Sequence, residues 1–179
     1  MRVAVELRWA VYTVALSLTW LVMECIVGLQ DRLVDYNASV RWFALFIPAV
    51  CFYVAVKRKR DTKPGGAFTF GEYLLSGLMM TFVATALFVP MQVAFHHWIN
   101  PAFYDNMIQH DVQQAVNNSR NPRAAYDAAK GTYNATSYAV QTTVGFIVFG
   151  VLLSFLYANW FTRDASFRLV HSPTQSTID

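Results

Sequence analysis

Glu24, Gln92, His96 and Gln141 are polar residues set within long apolar runs of the chain. A carboxyl group and an imidazole can share or relay a proton, and histidine is the side chain whose ordinary titration falls nearest neutral pH. Carboxamides can join such groups by hydrogen bonds. An ionisable side chain in an apolar environment costs free energy unless it is paired or wetted, which makes it a functional candidate by default. Two readings of these residues stand side by side. In the first, Glu24, Gln92, His96 and Gln141 form a polar cluster in which a Glu24–His96 pair serves proton-coupled movement or pH sensing. In the second, the same residues make structural hydrogen bonds between helices, or Glu24 sits protonated near lipid headgroups.

Other chemistry finds less support. No Gly-x-Ser-x-Gly elbow is present, so hydrolase-type nucleophilic catalysis has no motif. His96 and His97 are neighbours and would point about 100° apart on a helix. With His110, Asp105 or Asp111 they match no recognised ligand spacing, so neither a metal nor a cofactor is expected. Cys25 and Cys51 fall inside apolar segments, where two free buried thiols are expected. A membrane-embedded enzyme therefore ranks behind non-enzymatic roles.

A second candidate site is the run Lys57, Arg58, Lys59, Arg60, followed by the turn-forming Gly65 and Gly66 and the alternating aromatics Phe68 and Phe70. It lacks the Gly-Lys-Ser/Thr of a phosphate-binding loop. It reads as a topology signal touching anionic lipid, each charge contributing about 1 kcal/mol near such a surface, or as a docking site for a cytoplasmic partner or a phosphate ligand.

The elements that must position these residues follow from charge placement. The chain is 55% hydrophobic and 14% charged, against about 25% charged for an ordinary soluble domain. That balance argues against a disordered or nucleic-acid-binding chain. From Tyr73 to Tyr104, and again from Gly131 to Thr162, there is no Asp, Glu, Lys or Arg. Segments 9–29, 40–56, 73–99 and 137–161 are long and apolar enough, or nearly so, to cross a bilayer, which takes about 20 residues. They lack the charged face that a soluble helix shows to water. No small-residue cleavage site follows the first segment, so it reads as an uncleaved span rather than a leader.

Lys and Arg set the orientation. Arg2, Arg8, Lys57, Arg58, Lys59, Arg60, Lys63, Arg163 and Arg168 fall on one side of such a four-span chain. Only Arg32, Arg41, Arg120, Arg123 and Lys130 fall on the other. Both termini are expected in the cytoplasm and the 100–136 loop outside. Within that loop, Phe103, Met107, Ile108, Val112, Ala115 and Val116 recur at helical spacing, predicting an amphipathic helix over 102–117 that lies on the membrane or caps the bundle. Asn121-Pro122 predicts the start of a second short helix over 122–130. Residues 1–165 are expected as one transmembrane domain and 166–179 as a disordered cytoplasmic tail.

Each span carries a stripe of small and polar residues at steps of three and four, which is how helices meet in lipid. The stripes are Thr13, Ser17, Trp20, Glu24 and Gly28; then Ala44, Pro48, Cys51 and Ala55; then Gly77, Thr81, Thr85, Phe88, Gln92 and His96; then Gly150, Ser154 and Ala158. Pro48 and Pro90 are expected to kink their helices.

The order of a basic helix end, the run Gly65-Gly66-Ala67-Phe68-Thr69-Phe70-Gly71-Glu72, a long third span, a polar outer stretch with Asn121-Pro122 and a fourth span resembles the domain of unknown function 4199 family of small bacterial membrane proteins. The resemblance covers about residues 5–165 and implies four helices in a bacterial inner membrane. It carries no activity and no catalytic residues. The sequence thus predicts an all-α, four-span membrane protein. Its expected role is a structural or interaction subunit of an envelope complex, with the lipid bilayer, a second copy or another membrane protein as partner and no nucleic acid. The alternative is a small oligomeric transporter or channel with a proton-sensitive Glu24/His96 site.

Overall fold

The computed structural model describes residues 4–62 and 68–171, with side chains to Arg163. Gly65 and Gly66 of the expected turn, and residues 172–179 of the expected tail, lie outside the described residues. The elements are α1 (Ala4–Val27), α2 (Val34–Ala44), α3 (Phe46–Arg60), α4 (Phe70–Trp98), α5 (Phe103–Asn117), α6 (Pro122–Thr132) and α7 (Ala135–His171). Among the described residues there is no strand. Four stretches are long and apolar enough to span a membrane: Ala4–Val27, Val34–Arg60, Phe70–Trp98 and Ala135–Arg163.

Antiparallel packing puts the start of α1, the end of α3, the start of α4 and the far part of α7 at one end of the bundle, here the basic end. The α5–α6 hairpin covers the other, the hairpin end. In order around the bundle the spans run α1, α4, α7, α3. Their shared core is Ala10, Val14, Cys51, Phe52, Ala55, Met80, Ala84, Phe88 and Leu153. The stripes expected from sequence are the packed faces: every member of the α4 stripe from Gly77 to His96 is buried, as are Gly150, Ser154 and Ala158.

The closest approach is between α4 and α7. A Cβ built on Gly77 would come within 3.0 Å of Ser154 Cα, and one built on Gly150 would run into the Thr81 side chain. The hydroxyls in this seam bond back to their own helices, Thr81 to the Gly77 carbonyl at 2.9 Å, Thr85 to the Thr81 carbonyl at 2.8 Å and Ser154 to the Gly150 carbonyl at 2.6 Å. Such back-bonding satisfies a hydroxyl inside an apolar seam without a partner from across it.

Four boundaries differ from the sequence expectation. First, α1 begins at Ala4 rather than residue 9 and so takes Glu6 into the span. Second, Gly28 does not extend the packing stripe. It adopts φ +84° and ends α1, with its N–H on the Cys25 carbonyl at 3.1 Å and the Leu29 N–H on the Glu24 carbonyl at 2.9 Å, the Schellman arrangement that glycine allows. Third, the second span is not one helix. Pro48 has no N–H to offer the Ala44 carbonyl, and the helix breaks at Leu45 into α2 and α3, with residues 34–41 helical rather than a loop. Fourth, α7 continues through His171, so the stretch after 165 starts as helix, not as the expected disordered tail.

Side chains cap two of the helix starts. α4 opens with a reciprocal capping box in which Thr69 and Glu72 satisfy each other's backbone N–H. Asn121 Oδ1 caps α6 by accepting from Arg123 and Ala124. α5 caps the bundle, with Phe103 and Met107 buried.

Candidate functional site

Two polar clusters lie at opposite ends of the bundle. At the basic end, Lys59 turns inward from the end of α3 and pairs with Glu6 of α1. Ser76 of α4 also donates to that carboxylate, at 2.7 Å. Both charged side chains are almost wholly buried, and the Lys59 ammonium lies 5.8 Å from the centre of the Phe68 ring. Lys59 is thus not part of an exposed basic surface as its sequence context implied. Lys57 and Arg58 are exposed, and the Arg60 guanidinium packs 5.3 Å from the Phe161 ring centre. Phe70 meets Phe155 edge-on at 5.5 Å. Four consecutive cations at a helix end point to all sides of the helix and so must place one on its buried face, and the α3 stripe Pro48, Cys51, Ala55 reaches Lys59 at its next step. Extending the α1 stripe back from Thr13 through Ala10 reaches Glu6 likewise. The signal for this pair was present in both stripes.

At the hairpin end, Glu24 is 5% exposed. Its Oε1 accepts from Trp20 Nε1 at 2.6 Å, one turn below, and its Oε2 from Gln30 Nε2 at 3.3 Å. Gln30 Oε1 in turn accepts from Asn100 at 2.8 Å, and the Gln30 carbonyl from Asn106 at 3.3 Å. The Gly28 turn makes this possible, because it reverses the chain so that Gln30 returns onto Glu24. The result is a chain of bonds from α1 to the α4–α5 junction that ties the hairpin to the spans. Nearby, Asn37 of α2 donates to the Leu29 carbonyl at 2.9 Å.

His96 does not join Glu24. The imidazole is 1% exposed and stacks on Phe103, with ring centres 4.0 Å apart and planes at 19°. Tyr138 meets it edge-on at 5.5 Å. Neither ring nitrogen has a hydrogen-bond partner. The expected shared-proton Glu24–His96 pair is therefore corrected. The chain reverses after α4, so Phe103 of α5 lands on the imidazole face, and the carboxylate is already held by Trp20 and Gln30. Outside the spans, burial and the neighbouring Asp111 carboxylate push the Tyr133 phenol above its usual range. Burial does the same for Tyr104, with Tyr138 adding to it. Both remain hydroxyl donors near neutral pH.

The structure does bring Glu24, Gln92 and Gln141 to one place. All three line a cavity of about 600 Å³ between α1, the α2–α3 break, α4 and α7. Gln92 is 6% exposed and its Oε1 has no partner. Gln141 donates to the Thr132 carbonyl at 3.2 Å. Arg41, which falls in the loop-side half of the second span, lines the same cavity with Tyr138. The remaining wall is mostly apolar, with Leu21, Pro48, Phe88, Phe146 and Phe149. Sequence spacing could not add Arg41, because the break at Leu45 decides which way it faces. Among the described residues no group of His, Cys, Asp or Glu is placed to hold a metal ion. Cys25 and Cys51 are free thiols.

Four apolar helices packed through small-residue stripes, with a buried Glu6–Lys59 pair at one end and a hydrogen-bonded Glu24 at the other, define a polytopic helical membrane protein. The chain belongs to the family described as Protein of unknown function (DUF4199), whose model matches residues 8–163. Comparison with curated proteins and with solved structures gave no match.

Proposed function

We propose that the protein is a structural or interaction subunit of an envelope complex in the bacterial inner membrane, with both termini in the cytoplasm. The observation that carries this reading is the disposition of polar groups along the spans. Glu6, Lys59 and Ser76 bond to one another at the basic end. Glu24, Gln30 and Asn100 do so at the hairpin end. Between them the hydroxyls of Thr81, Thr85 and Ser154 bond to their own helices and the core is apolar. A substrate or ion path needs a polar seam that runs from face to face, and the described residues of one copy offer none. A transporter reading would need several copies and the Glu24–His96 pair, which is not made.

Two further features favour interaction. The Ala135–Arg163 span is mostly unburied over its apolar window and bares Val140, Val144, Leu152, Phe155, Leu156 and Trp160, a face open to lipid or to another helix. Outside the spans, the α5–α6 hairpin is tied to the bundle through Gln30 and Phe103 and presents a polar surface. The orientation rests on the bias of Lys and Arg toward the basic end.

A mild-detergent pull-down from native membranes tests the reading, with ion flux in liposomes as its counterpart. A reproducible stoichiometric membrane-protein partner is expected. A clean homo-oligomer that conducts ions would replace this reading with the transporter.

A further inference from the structure

The cavity beside Glu24 is built differently from a packing defect. Its volume of about 600 Å³ falls in the range of about 300–1,000 Å³ typical of small-ligand sites. A void left by imperfect packing is lined by apolar groups. This one holds a carboxylate, a guanidinium and a buried carboxamide oxygen without a partner, and an unsatisfied buried acceptor is costly.

Antiparallel register places these groups at one level. Glu6 pairs with Lys59 at the basic end, and counting the same number of residues along α1 and back along α3 and α2 brings Glu24 level with Arg41. Glu6 also meets Ser76, and the same climb along α4 passes Gln92. Yet no ion pair joins Glu24 to Arg41, since the carboxylate is taken up by Trp20 and Gln30. Two acceptors, Glu24 and Gln92, thus line the same cavity as the Arg41 cation. Below this level the wall is apolar toward the basic end, through Phe88, Phe146 and Phe149.

From this we infer that the cavity is a binding site for one zwitterionic phospholipid with a primary ammonium head, of the phosphatidylethanolamine class, drawn from the leaflet at the hairpin end. Its phosphate sits on Arg41, its ammonium donates to Glu24 and Gln92 Oε1, and an acyl chain runs down the apolar wall. Charge complementarity selects the class. An anionic glycerol head leaves the carboxylate wall without a cation. A choline head carries the cation but has no N–H for Gln92.

The test is native mass spectrometry of the full chain released from micelles. The micelles hold equal amounts of phosphatidylethanolamine, phosphatidylglycerol and phosphatidylcholine with identical acyl chains. One retained phosphatidylethanolamine per chain is expected. Arg41→Ala, at an exposed position, should lower that retention about tenfold, the loss of one charge-assisted hydrogen bond. Gly145→Leu should abolish it, because Gly145 lines the cavity and a Cβ there meets nothing within 4 Å. Leu156→Ala, on the bare outer face of α7, should leave it unchanged. Equal retention of the three lipids, preference for phosphatidylglycerol, or phosphatidylethanolamine retention unaltered by Arg41→Ala would each overturn the assignment.

Discussion

Glu6 and Lys59 form the contact that constrains a single residue most tightly. Two charges removed from water gain little over an apolar pair of equal volume, but removing one partner strands the other. Lys59→Met is therefore expected to destabilise the fold by about 3–5 kcal/mol, read as a shift in the denaturation curve in detergent micelles. Combining it with Glu6→Leu should recover most of that loss. Glu24 and His96 behave in the opposite way. They touch different partners, Trp20 and Gln30 for one and Phe103 and Tyr138 for the other. A double-mutant cycle of Glu24→Gln with His96→Ala should be additive within about 0.5 kcal/mol; a larger coupling would reinstate a direct pair. Of the four polar residues singled out by type and spacing, three reach one cavity and His96 does not. Spacing assigns a helix face, but the fate of His96 depended on which aromatic ring the next helix would lay across it. Gln30 and Arg41 carried no signal as neighbours of Glu24, because a turn at Gly28 and a helix break at Leu45 set their placement and no periodicity carries through either.

Among the elements, α4 and α7 approach most closely at their glycines, Gly77 and Gly150, and aromatic pairs such as Phe88–Phe146 fill the rest of the seam. In lipid there is little hydrophobic drive to bring helices together, so close backbone approach supplies the attraction. Gly150→Leu must push Thr81 aside and is expected to cost at least about 2 kcal/mol, by overpacking, whereas Gly145→Leu should cost much less because its Cβ faces open space. Comparing the two unfolding midpoints checks this directly. The Gly28 turn is a second device at this scale. Gly28→Ala forces a side chain into left-handed backbone, for about 1–2 kcal/mol. By shifting Gln30 it should also make the α5–α6 hairpin more susceptible to trypsin at Arg120, Arg123 and Lys130. The stripes on α4 and α7 were legible because small residues at steps of three and four mark a helix interface whatever the partner. The break at Leu45 was only half legible. Pro48 announced a kink, but a proline in a span can bend a helix or end it, and packing against α1 and α7 decides which.

For the molecule as a whole, the described residues form a bundle with an apolar core between two polar ends. Such a body can be held in a membrane, can bind a lipid in a lateral cavity and can present a polar hairpin beyond it. Placing tags at each terminus of the full chain and probing them with protease from either side of intact vesicles should find both ends protected from outside and the 100–136 loop cleavable. The geometry already requires that the two ends of the four-span bundle share a face, so a split result would contradict the fold, and both ends outside would contradict only the reading of the charges. What the amino-acid order by itself determined is the number of spans, their packed faces and the helices of the loop. Those follow from local hydropathy, from side-chain periodicity and from capping residues, all of which act within a few turns. Only tertiary structure decided that Lys59 leaves its basic neighbours to meet Glu6, that Glu24 binds Gln30 instead of His96, and that Arg41 shares a cavity with Glu24 and Gln92. Each of those choices joins helices distant in sequence, and a buried polar group takes whichever partner the packing brings within hydrogen-bond reach.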